Sequence, residues 1–332
     1  MNEMEYLRVA DPAGALKAFA AAQRPRYLAG GTNLVDLMRQ HVERPDLLID
    51  VSELGRDISI SHDGTVVVGA GVKNTALASH PHIRSHFPML SQAILNGASG
   101  QIRNMASVGG NILQRTRCYY FYDSAASCNK RRRGSGCDAL AGFNRIHAIL
   151  GTSEHCIATH PSDMCVALAA LDARLQVQGL GGMRQIRLTD LHRAPGDTPD
   201  VETQLQPDEL IIAVEIPPLP CARTSLYRKV RDRASYAFAL VSVAAAMELN
   251  RQGKVSQIRV ALGGVAHKPW RATLVEKILL DQSAEDARFG EAAEAELAAA
   301  RGHGGNSFKI QLAARLIQHT LGDLARTLQE HA

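Results

Sequence analysis

The sequence predicts an α+β fold in two domains. The chain has 332 residues, which is enough for two hydrophobic cores. Strand-like and helix-like segments alternate along most of it, whereas the C-terminal part begins with strand-like segments and ends with two helix-like ones. The cluster Pro217-Pro218-Leu219-Pro220 separates these two patterns, and we take it as the domain boundary.

The N-terminal part is typical of a βαβ opening. A helix is expected to begin at Pro12, because Asp11 is a good N-cap residue and proline suits the first helical turn. The second strand is expected to run into Gly30-Gly31-Thr32-Asn33. The predicted strands are 6–9, 27–29 and 47–51, and the predicted helices are 12–22 and 34–40.

From residue 58 the pattern indicates antiparallel strands. Asp63-Gly64 and Gly179-Leu180-Gly181-Gly182 each lie between two strand-like runs, which is a hairpin signal. The predicted strands here are 58–60, 66–70, 174–177, 185–188 and 210–216, and the predicted helices are 74–79, 88–95 and 163–171.

Beyond the prolines, apolar residues alternate or run continuously, as in an antiparallel sheet covered by helices. The final helix should carry one stripe of leucine and isoleucine. The predicted strands are 226–230, 238–249 and 255–262, and the predicted helices are 284–301 and 308–330.

Composition and charge exclude several classes of protein. No run of about 18 apolar residues occurs, so no membrane span is expected, and the first residues lack the pattern of a signal peptide. The net charge is +4, and residues 115–138 account for all of it, with six basic and two acidic side chains. A nucleic-acid-binding protein would need a broader basic face.

Two glycine-containing segments are candidates for binding a phosphate-bearing cofactor. Residues 29–34 form the first glycine segment and residues 106–111 the second. Glycines let backbone N–H groups approach an anion closely, and a following helix adds a favourable dipole. Neither segment has the spacing of a dinucleotide fingerprint or a P-loop, so a plain tight turn is the alternative.

Asp163 and Lys229 each have two interpretations. Asp163 is a candidate partner for ribose or ribityl hydroxyls, or else the N-cap of the next helix. Lys229 is a candidate partner for a phosphate or a reduced flavin, or else an ordinary strand lysine that faces solvent.

Four of the six cysteines lie close together in the sequence: Cys118, Cys128, Cys137 and Cys156. No Cys-x-x-Cys pair is present, and the spacings also differ from common ferredoxin patterns. Four thiolates are nevertheless enough for one [4Fe–4S] cube, and the basic residues of 115–138 would offset its negative charge. Structural zinc and two disulfides are the alternatives. We interpret Cys165 and Cys221 as small core residues.

The two glycine segments, followed by Ser162-Asp163 and Tyr227-Arg228-Lys229, resemble the FAD-binding subunit of the xanthine dehydrogenase family in order and spacing. The resemblance implies an FAD-binding domain of the vanillyl-alcohol-oxidase (PCMH) type at 1–222, with subdomains 1–55 and 56–222. It also implies a smaller α+β C-terminal domain, of the CO dehydrogenase flavoprotein type, at 223–332.

The same resemblance implies the FAD contacts. In that family the first glycine segment wraps the pyrophosphate, the second also holds FAD, and the aspartate contacts the nucleotide. Ile211 and Lys229 occupy positions that line the flavin there. The implied FAD-binding residues are Leu28, Ala29, Gly30, Gly31, Thr32, Asn33, Leu34, Ser107, Gly109, Gly110, Asn111, Asp163, Ile211 and Lys229.

The inserted residues at about 115–157, here called the cysteine segment, are similar to those in flavin subunits of bacterial periplasmic aldehyde oxidoreductases. Those subunits carry FAD and a [4Fe–4S] cluster together, which implies that Cys118, Cys128, Cys137 and Cys156 are cluster ligands. His155 and His160 lie near Cys156 in the sequence and are either neighbours of the ligands or ordinary loop residues.

No nucleophile–base arrangement is apparent, so we expect no catalytic residue here and interpret the chain as an electron-transfer subunit. In the resembling enzymes a large molybdopterin subunit oxidises an aldehyde with water to a carboxylic acid. A small subunit with two [2Fe–2S] clusters passes electrons to the FAD, which delivers them to a terminal acceptor. The resemblance implies such a heterotrimer in the periplasm, exported on a partner's twin-arginine signal; the cytoplasm is the alternative.

Two other functions stay open at this point. A flavin subunit of an aromatic acyl-CoA reductase, similar to 4-hydroxybenzoyl-CoA reductase, would pass electrons from flavin to molybdenum. A non-redox assembly subunit would bind structural zinc through the cysteine segment.

Overall fold

The computed structural model describes residues 3–330 as three β-sheets with helices packed between and around them. This architecture agrees with the predicted α+β class. The three sheets lie within residues 5–50, 58–216 and 225–271, and the boundaries placed after residues 55 and 222 stay predictions. No helix among residues 3–330 is long and apolar enough to cross a membrane.

The first sheet is a small parallel one in the order β1-β3-β2. Its strands are β1 (Glu5–Arg8), β2 (Pro25–Leu28) and β3 (Leu47–Asp50), with helices α1 (Pro12–Ala21) and α2 (Leu34–Arg39). Helix α1 begins as predicted, because the Asp11 carboxylate accepts a hydrogen bond from the Gly14 backbone N–H at 2.7 Å. Strand β2 leads directly into the first glycine segment.

The second sheet is antiparallel, in the order β4-β5-β8-β6-β7. Its strands are β4 (Ile58–Ile60), β5 (Val66–Gly69), β6 (Arg174–Gly179), β7 (Gly182–Arg187) and β8 (Leu210–Ile216). Both predicted hairpins form. The second one is tighter than predicted, because Gly182 adopts a φ of +113° and lets β7 start at the turn itself.

Eight helices lie along residues 74–191: α3 (Asn74–Ser79), α4 (Pro81–His86), α5 (Pro88–Asn96), α6 (Gly100–Met105), α7 (Val108–Ile112), α8 (Tyr119–Tyr122), α9 (Asp163–Ala170) and α10 (Leu188–Leu191). The sequence predicted α3, α5 and α9. The other helices span only one or two turns, which is too short for an apolar periodicity to develop. One of them, α7, lies in the second glycine segment, which is therefore mostly helical.

The third sheet, in the order β12-β11-β10-β9, is antiparallel. Its elements are β9 (Ser225–Val230), β10 (Val241–Leu249), β11 (Val255–Gly263), β12 (Trp270–Arg271), α11 (Thr273–Leu279), α12 (Asp286–Leu297) and α13 (Phe308–Glu330). Helix α13 has the predicted bounds, and α11 was not predicted.

Strand β10 is buried on both faces. Val243, Ala245 and Met247 share one core with helices α12 and α13, whereas Ala244 and Ala246 share another with helices α5 and α9. A strand covered on both sides reads as a continuous apolar run, which is how this segment appears in the sequence. The third sheet thus holds helix α9, and with it Asp163, firmly in place.

The Lys309 side chain is fully buried, and its ammonium donates to the backbone carbonyls of His147, at 2.8 Å, and Gly264. Burial lowers the pKa of Lys309 to about 7, against about 10.4 in an unfolded chain. Between these two values the folded state binds fewer protons, so stability rises with pH. We expect the free energy of unfolding to rise from pH 7 to pH 9 relative to that of Lys309→Met in urea titrations. Equal pH slopes for the two proteins would contradict this.

Candidate functional site

Two neighbouring cavities form a long groove. The first lies between the first and second sheets, and the second lies beside helix α9 and strands β9–β11 of the third sheet. The first cavity measures about 1050 Å³ and the second about 770 Å³. They share Thr32, Asn33 and Gly110, which we call the waist of the groove. Together they exceed the volume of an ordinary small-molecule pocket, so the groove suits an extended ligand.

The first glycine segment supplies hydrogen-bond donors to the waist. Within the described residues, the backbone N–H groups of residues 30–34 donate to no protein oxygen. Gly31 has a φ of +71°, and helix α2 begins just after it at Leu34. The Asn33 side-chain oxygen accepts from the Arg115 N–H at 2.8 Å, whereas its buried Nδ2 has no partner in this part of the chain. A row of free donors is suited to a diphosphate.

The second glycine segment contributes space, and not the free N–H groups that were expected of it. The Gly110 N–H donates to the Ser107 hydroxyl at 3.2 Å, and the Gly109 N–H donates to the Ala70 carbonyl at 2.8 Å. The first bond caps helix α7, and the second joins this helix to the residue that follows strand β5. Gly110 lines both cavities, and a Cβ placed there would have only the Ser107 hydroxyl as a close neighbour. Gly110 therefore keeps the waist open.

Asp163 and Lys229 form a buried ion pair that lines the second cavity. Lys229 Nζ lies 2.7 Å from Asp163 Oδ2, and the two side chains are 1% and 7% exposed. The Tyr227 hydroxyl donates to the other carboxylate oxygen at 2.5 Å. The alternative interpretations of both residues are wrong. Ser162, and not Asp163, is the N-cap of helix α9, and the Lys229 side chain is buried and does not face solvent.

Tyr227 was not among the predicted site residues. Burial and the Asp163 carboxylate raise the pKa of Tyr227 well above its ordinary value, so it stays a neutral donor. The two-residue period of a β-strand could have indicated it, because Tyr227 lies on the same face of β9 as Lys229, which was predicted.

The remaining predicted residues divide between the two cavities. The first cavity is lined by Ala29, Gly30, Gly31, Thr32, Asn33, Leu34, Ser107, Gly109, Gly110 and Ile211. The second is lined by Thr32, Asn33, Gly110, Asn111, Asp163 and Lys229. Leu28 lines neither cavity, and Ile211 and Lys229, both expected beside the flavin, lie in different cavities.

The four clustered cysteines share one hydrophobic neighbourhood next to the groove, together with Leu37, Phe121 and Ile157. All six cysteines of the chain are free thiols, and Cys165 and Cys221 lie in the main core as predicted. Among residues 3–330, no three His, Cys, Asp or Glu side chains are arranged to hold a metal ion. The structure thus places the four cysteines close together, and the [4Fe–4S] cluster itself stays a prediction.

Three of these cysteines begin the same kind of turn. The carbonyls of Cys118, Cys128 and Cys137 each accept a hydrogen bond from the backbone N–H three residues later, at 3.1, 3.1 and 3.2 Å. In each turn, N–H groups two and three residues after the cysteine favour its thiolate form. Burial nevertheless raises the pKa of Cys118 to about 12, whereas the neighbouring Cys156 thiol lowers the pKa of Cys137.

Two buried histidines contact these sulfurs. His147 Nε2 lies 3.1 Å from the Cys118 sulfur, and His267 Nε2 lies 3.3 Å from the Cys156 sulfur. The sequence pointed instead to His155 and His160. His155 is exposed, and His160 lines the second cavity with its Nε2 near the Ile112 carbonyl.

Acidic residues from outside the cysteine segment neutralise part of its positive charge. Arg115 bridges Glu43 at 2.6 Å and Glu202 at 2.7 Å, and Lys130 lies 3.5 Å from Glu202. Burial raises the pKa of the Cys128 thiol, and Cys137 together with burial raises that of Cys156; the positive charges of Arg131 and Lys130, respectively, oppose these rises. The basic residues of the cysteine segment therefore have less positive charge left to offset a negative cluster than their number indicated.

The comparisons with known proteins cover nearly the whole chain. A family model described as the FAD binding domain in molybdopterin dehydrogenase matches residues 2–219, and the CO dehydrogenase flavoprotein C-terminal domain matches residues 225–324. The chain is 49% identical over 329 residues to the aldehyde oxidoreductase FAD-binding subunit PaoB of Escherichia coli (strain K12), across 97% of this chain and 98% of that protein. The chain is an FAD-binding medium subunit of the xanthine dehydrogenase family.

More distant proteins agree with this assignment. The medium subunit is 27% identical to the glyceraldehyde dehydrogenase medium chain of Sulfolobus acidocaldarius, over 86% of this chain and 83% of that one. A carbon monoxide dehydrogenase chain from Hydrogenophaga pseudoflava shares its fold, with a TM-score of 0.75 over 98% of both chains at 22% identity. The predicted family, fold class and oxidoreductase subunit are confirmed.

The groove of this FAD-binding subunit fits the cofactor of its family. FAD is an extended molecule with a diphosphate at its middle, and the free N–H groups and the Asn33 Nδ2 lie at the middle of the groove. The first glycine segment would hold the diphosphate, and the two cavities would take the two ends of the molecule.

The neighbouring backbone also requires glycine at position 30, independently of any ligand. A Cβ at this position would lie 2.1 Å from the Met105 carbonyl oxygen and 2.9 Å from Ala106 Cα, because the backbones leading to the two glycine segments touch here. We expect Gly30→Ala to separate the segments and to lose most of the bound FAD, measured as flavin released per protein.

The control for this substitution is Gly100→Ala in helix α6. A Cβ at Gly100 would have no neighbour within 4 Å, so the same added methyl group should leave the flavin content unchanged. Full flavin content in Gly30→Ala would show that the contact between the two segments does not matter for binding.

Proposed function

We propose that this chain carries both FAD and a [4Fe–4S] cluster in a heterotrimeric, molybdenum-containing aldehyde oxidoreductase. A large subunit would oxidise aldehydes to carboxylic acids at a molybdopterin centre. A small subunit would pass the electrons through [2Fe–2S] clusters to the FAD of this chain, and from there they would reach a terminal acceptor. The 49% identity to a subunit whose name specifies an aldehyde oxidoreductase supports aldehydes as the substrates.

The observation that carries the cluster proposal is the environment of the four cysteines. The four cysteines share one hydrophobic neighbourhood, and N–H groups in the turns that begin at Cys118, Cys128 and Cys137 favour the thiolate forms of these three. Lys130 and Arg131 add positive charge. Thiolates, nearby N–H groups and local positive charge are the features that ligate an iron–sulfur cluster and set its potential.

The residues of this chain bind and orient the cofactors; we assign no catalytic residue to it. Bound flavin supplies the ability to exchange electrons singly or in pairs. The waist would fix the diphosphate, while the Asp163–Lys229 pair holds an ammonium group in place at the second cavity. Cys118, Cys128 and Cys156 are buried, which limits water access to their sulfurs, and Cys137 is half-buried.

Anaerobic purification of the complex tests this proposal. We expect bound FAD, together with iron and sulfide in the ratio of a [4Fe–4S] cluster in addition to those of the partner's clusters. We also expect an aldehyde to reduce the flavin. Reoxidation of reduced flavin by a hydroxylated aromatic acyl-CoA, without flavin reduction by aldehydes, would favour the reductase, and a flavin-free zinc protein would overturn the proposal.

We also propose that the complex works in the periplasm, exported on a twin-arginine signal of a partner subunit. The similarity to periplasmic aldehyde oxidoreductases supports this. Cell fractionation tests it: changing the partner's two arginines to lysines should retain this chain in the cytoplasm. A chain that is cytoplasmic before the change would contradict the proposal.

A further inference from the structure

We propose that His147 and His267 are positioning residues that donate hydrogen bonds to two cluster thiolates and raise the reduction potential of the cluster. This inference rests on the cluster proposed above. Both rings are almost fully buried, and their Nε2 atoms lie 3.1 and 3.3 Å from the sulfurs of Cys118 and Cys156.

The direction of these bonds follows from the chemistry of the sulfur. A cysteine that ligates iron is a thiolate and has no proton to give, so the nitrogen must be the donor. Each neutral imidazole then carries its proton on Nε2 and leaves Nδ1 as an acceptor. Neither Nδ1 has a partner among the described side chains and backbone, so no competing protein contact favours the other tautomer.

His267 also has room for a partner of its own. A small cavity of about 30 Å³ lies beside its ring and is lined by His192, Lys130 and Glu202 as well. This volume is enough for one water molecule, and the lining offers it several polar partners.

A hydrogen bond to a cluster sulfur stabilises the more negative, reduced state. Removal of the donor should therefore lower the potential. For His267→Leu we expect the ratio of reduced to oxidised cluster, at a fixed solution potential, to fall about tenfold, which corresponds to 59 mV for one electron. His267→Gln, which keeps an N–H donor, should recover most of this shift.

The experiment is a redox titration of the purified complex, followed by low-temperature electron paramagnetic resonance of the [4Fe–4S] signal. The matched control is His155→Leu, since His155 is adjacent to Cys156 in the sequence but its side chain is exposed. An unchanged potential in His267→Leu, or an equal shift in the control, would overturn the inference.

A second measurement needs no variant and covers the case in which His267→Leu fails to load iron. In the wild-type complex with ¹⁵N-labelled histidine, pulsed electron paramagnetic resonance should detect a magnetic coupling between ¹⁵N nuclei and the reduced cluster. A loaded cluster without such coupling overturns the histidine assignment alone. The absence of any [4Fe–4S] signal from the wild-type complex overturns the proposed function as well.

Discussion

The Cys128→Ser variant is expected to lose the iron of the [4Fe–4S] cluster and to unfold its cysteine segment at lower temperature. Cys128 is buried, and its backbone pairs with Cys137 in an isolated antiparallel bridge, so two ligand positions depend on each other. Loss of one thiolate from a four-cysteine site removes both a ligand and the metal-dependent part of the folding energy. Iron analysis and protease sensitivity of residues 115–157 would measure the two effects.

The matched control is Cys221→Ala, which removes a buried thiol far from the four clustered cysteines in the fold. This variant should keep its full iron content and flavin content. If Cys128→Ser also keeps its iron, Cys128 is not a ligand. If it loses flavin as well as iron, the cysteine segment helps to hold the groove, as the bond from the Arg115 N–H to Asn33 indicates.

Local sequence signals determined the parts of the fold that were predicted well. Asp11 and Pro12 specify the start of helix α1 by themselves, and the apolar stripe of helix α13 extends over many turns. Helix α7 is the opposite case, since Gly109 and Gly110 have poor helix propensity. Ser107 capping and the contact with Ala70 form that helix, and the second of these comes from a distant part of the chain.

The same distinction applies to the site. The first glycine segment and the four cysteines were visible because their residue types are unusual in themselves. The contact of His267 with Cys156 joins residues 111 positions apart, and no local pattern signals such a pair. Glu202 likewise reaches Arg115 across 87 positions. Sequence could therefore indicate candidate cofactor-binding groups, but not the side chains that contact and position them.

The Asp163→Ala variant is expected to have the largest effect on stability. It leaves the Lys229 ammonium and the Tyr227 hydroxyl buried without their carboxylate partner. Removal of one member of a buried pair typically costs about 3–5 kcal/mol, because the remaining charge stays uncompensated. We expect a loss of this size in the free energy of unfolding, measured in urea, and a weaker affinity for FAD.

The double variant Asp163→Asn/Lys229→Met separates charge from shape. Asparagine keeps the volume of the carboxylate and an acceptor for Tyr227, while methionine removes the charge that would otherwise be stranded. The double variant should therefore be more stable than Asp163→Ala. If its FAD affinity stays low while its stability recovers, the ion pair acts on the cofactor directly. Equal losses of stability in the two variants would show instead that packing, and not the buried charge, dominates at this position.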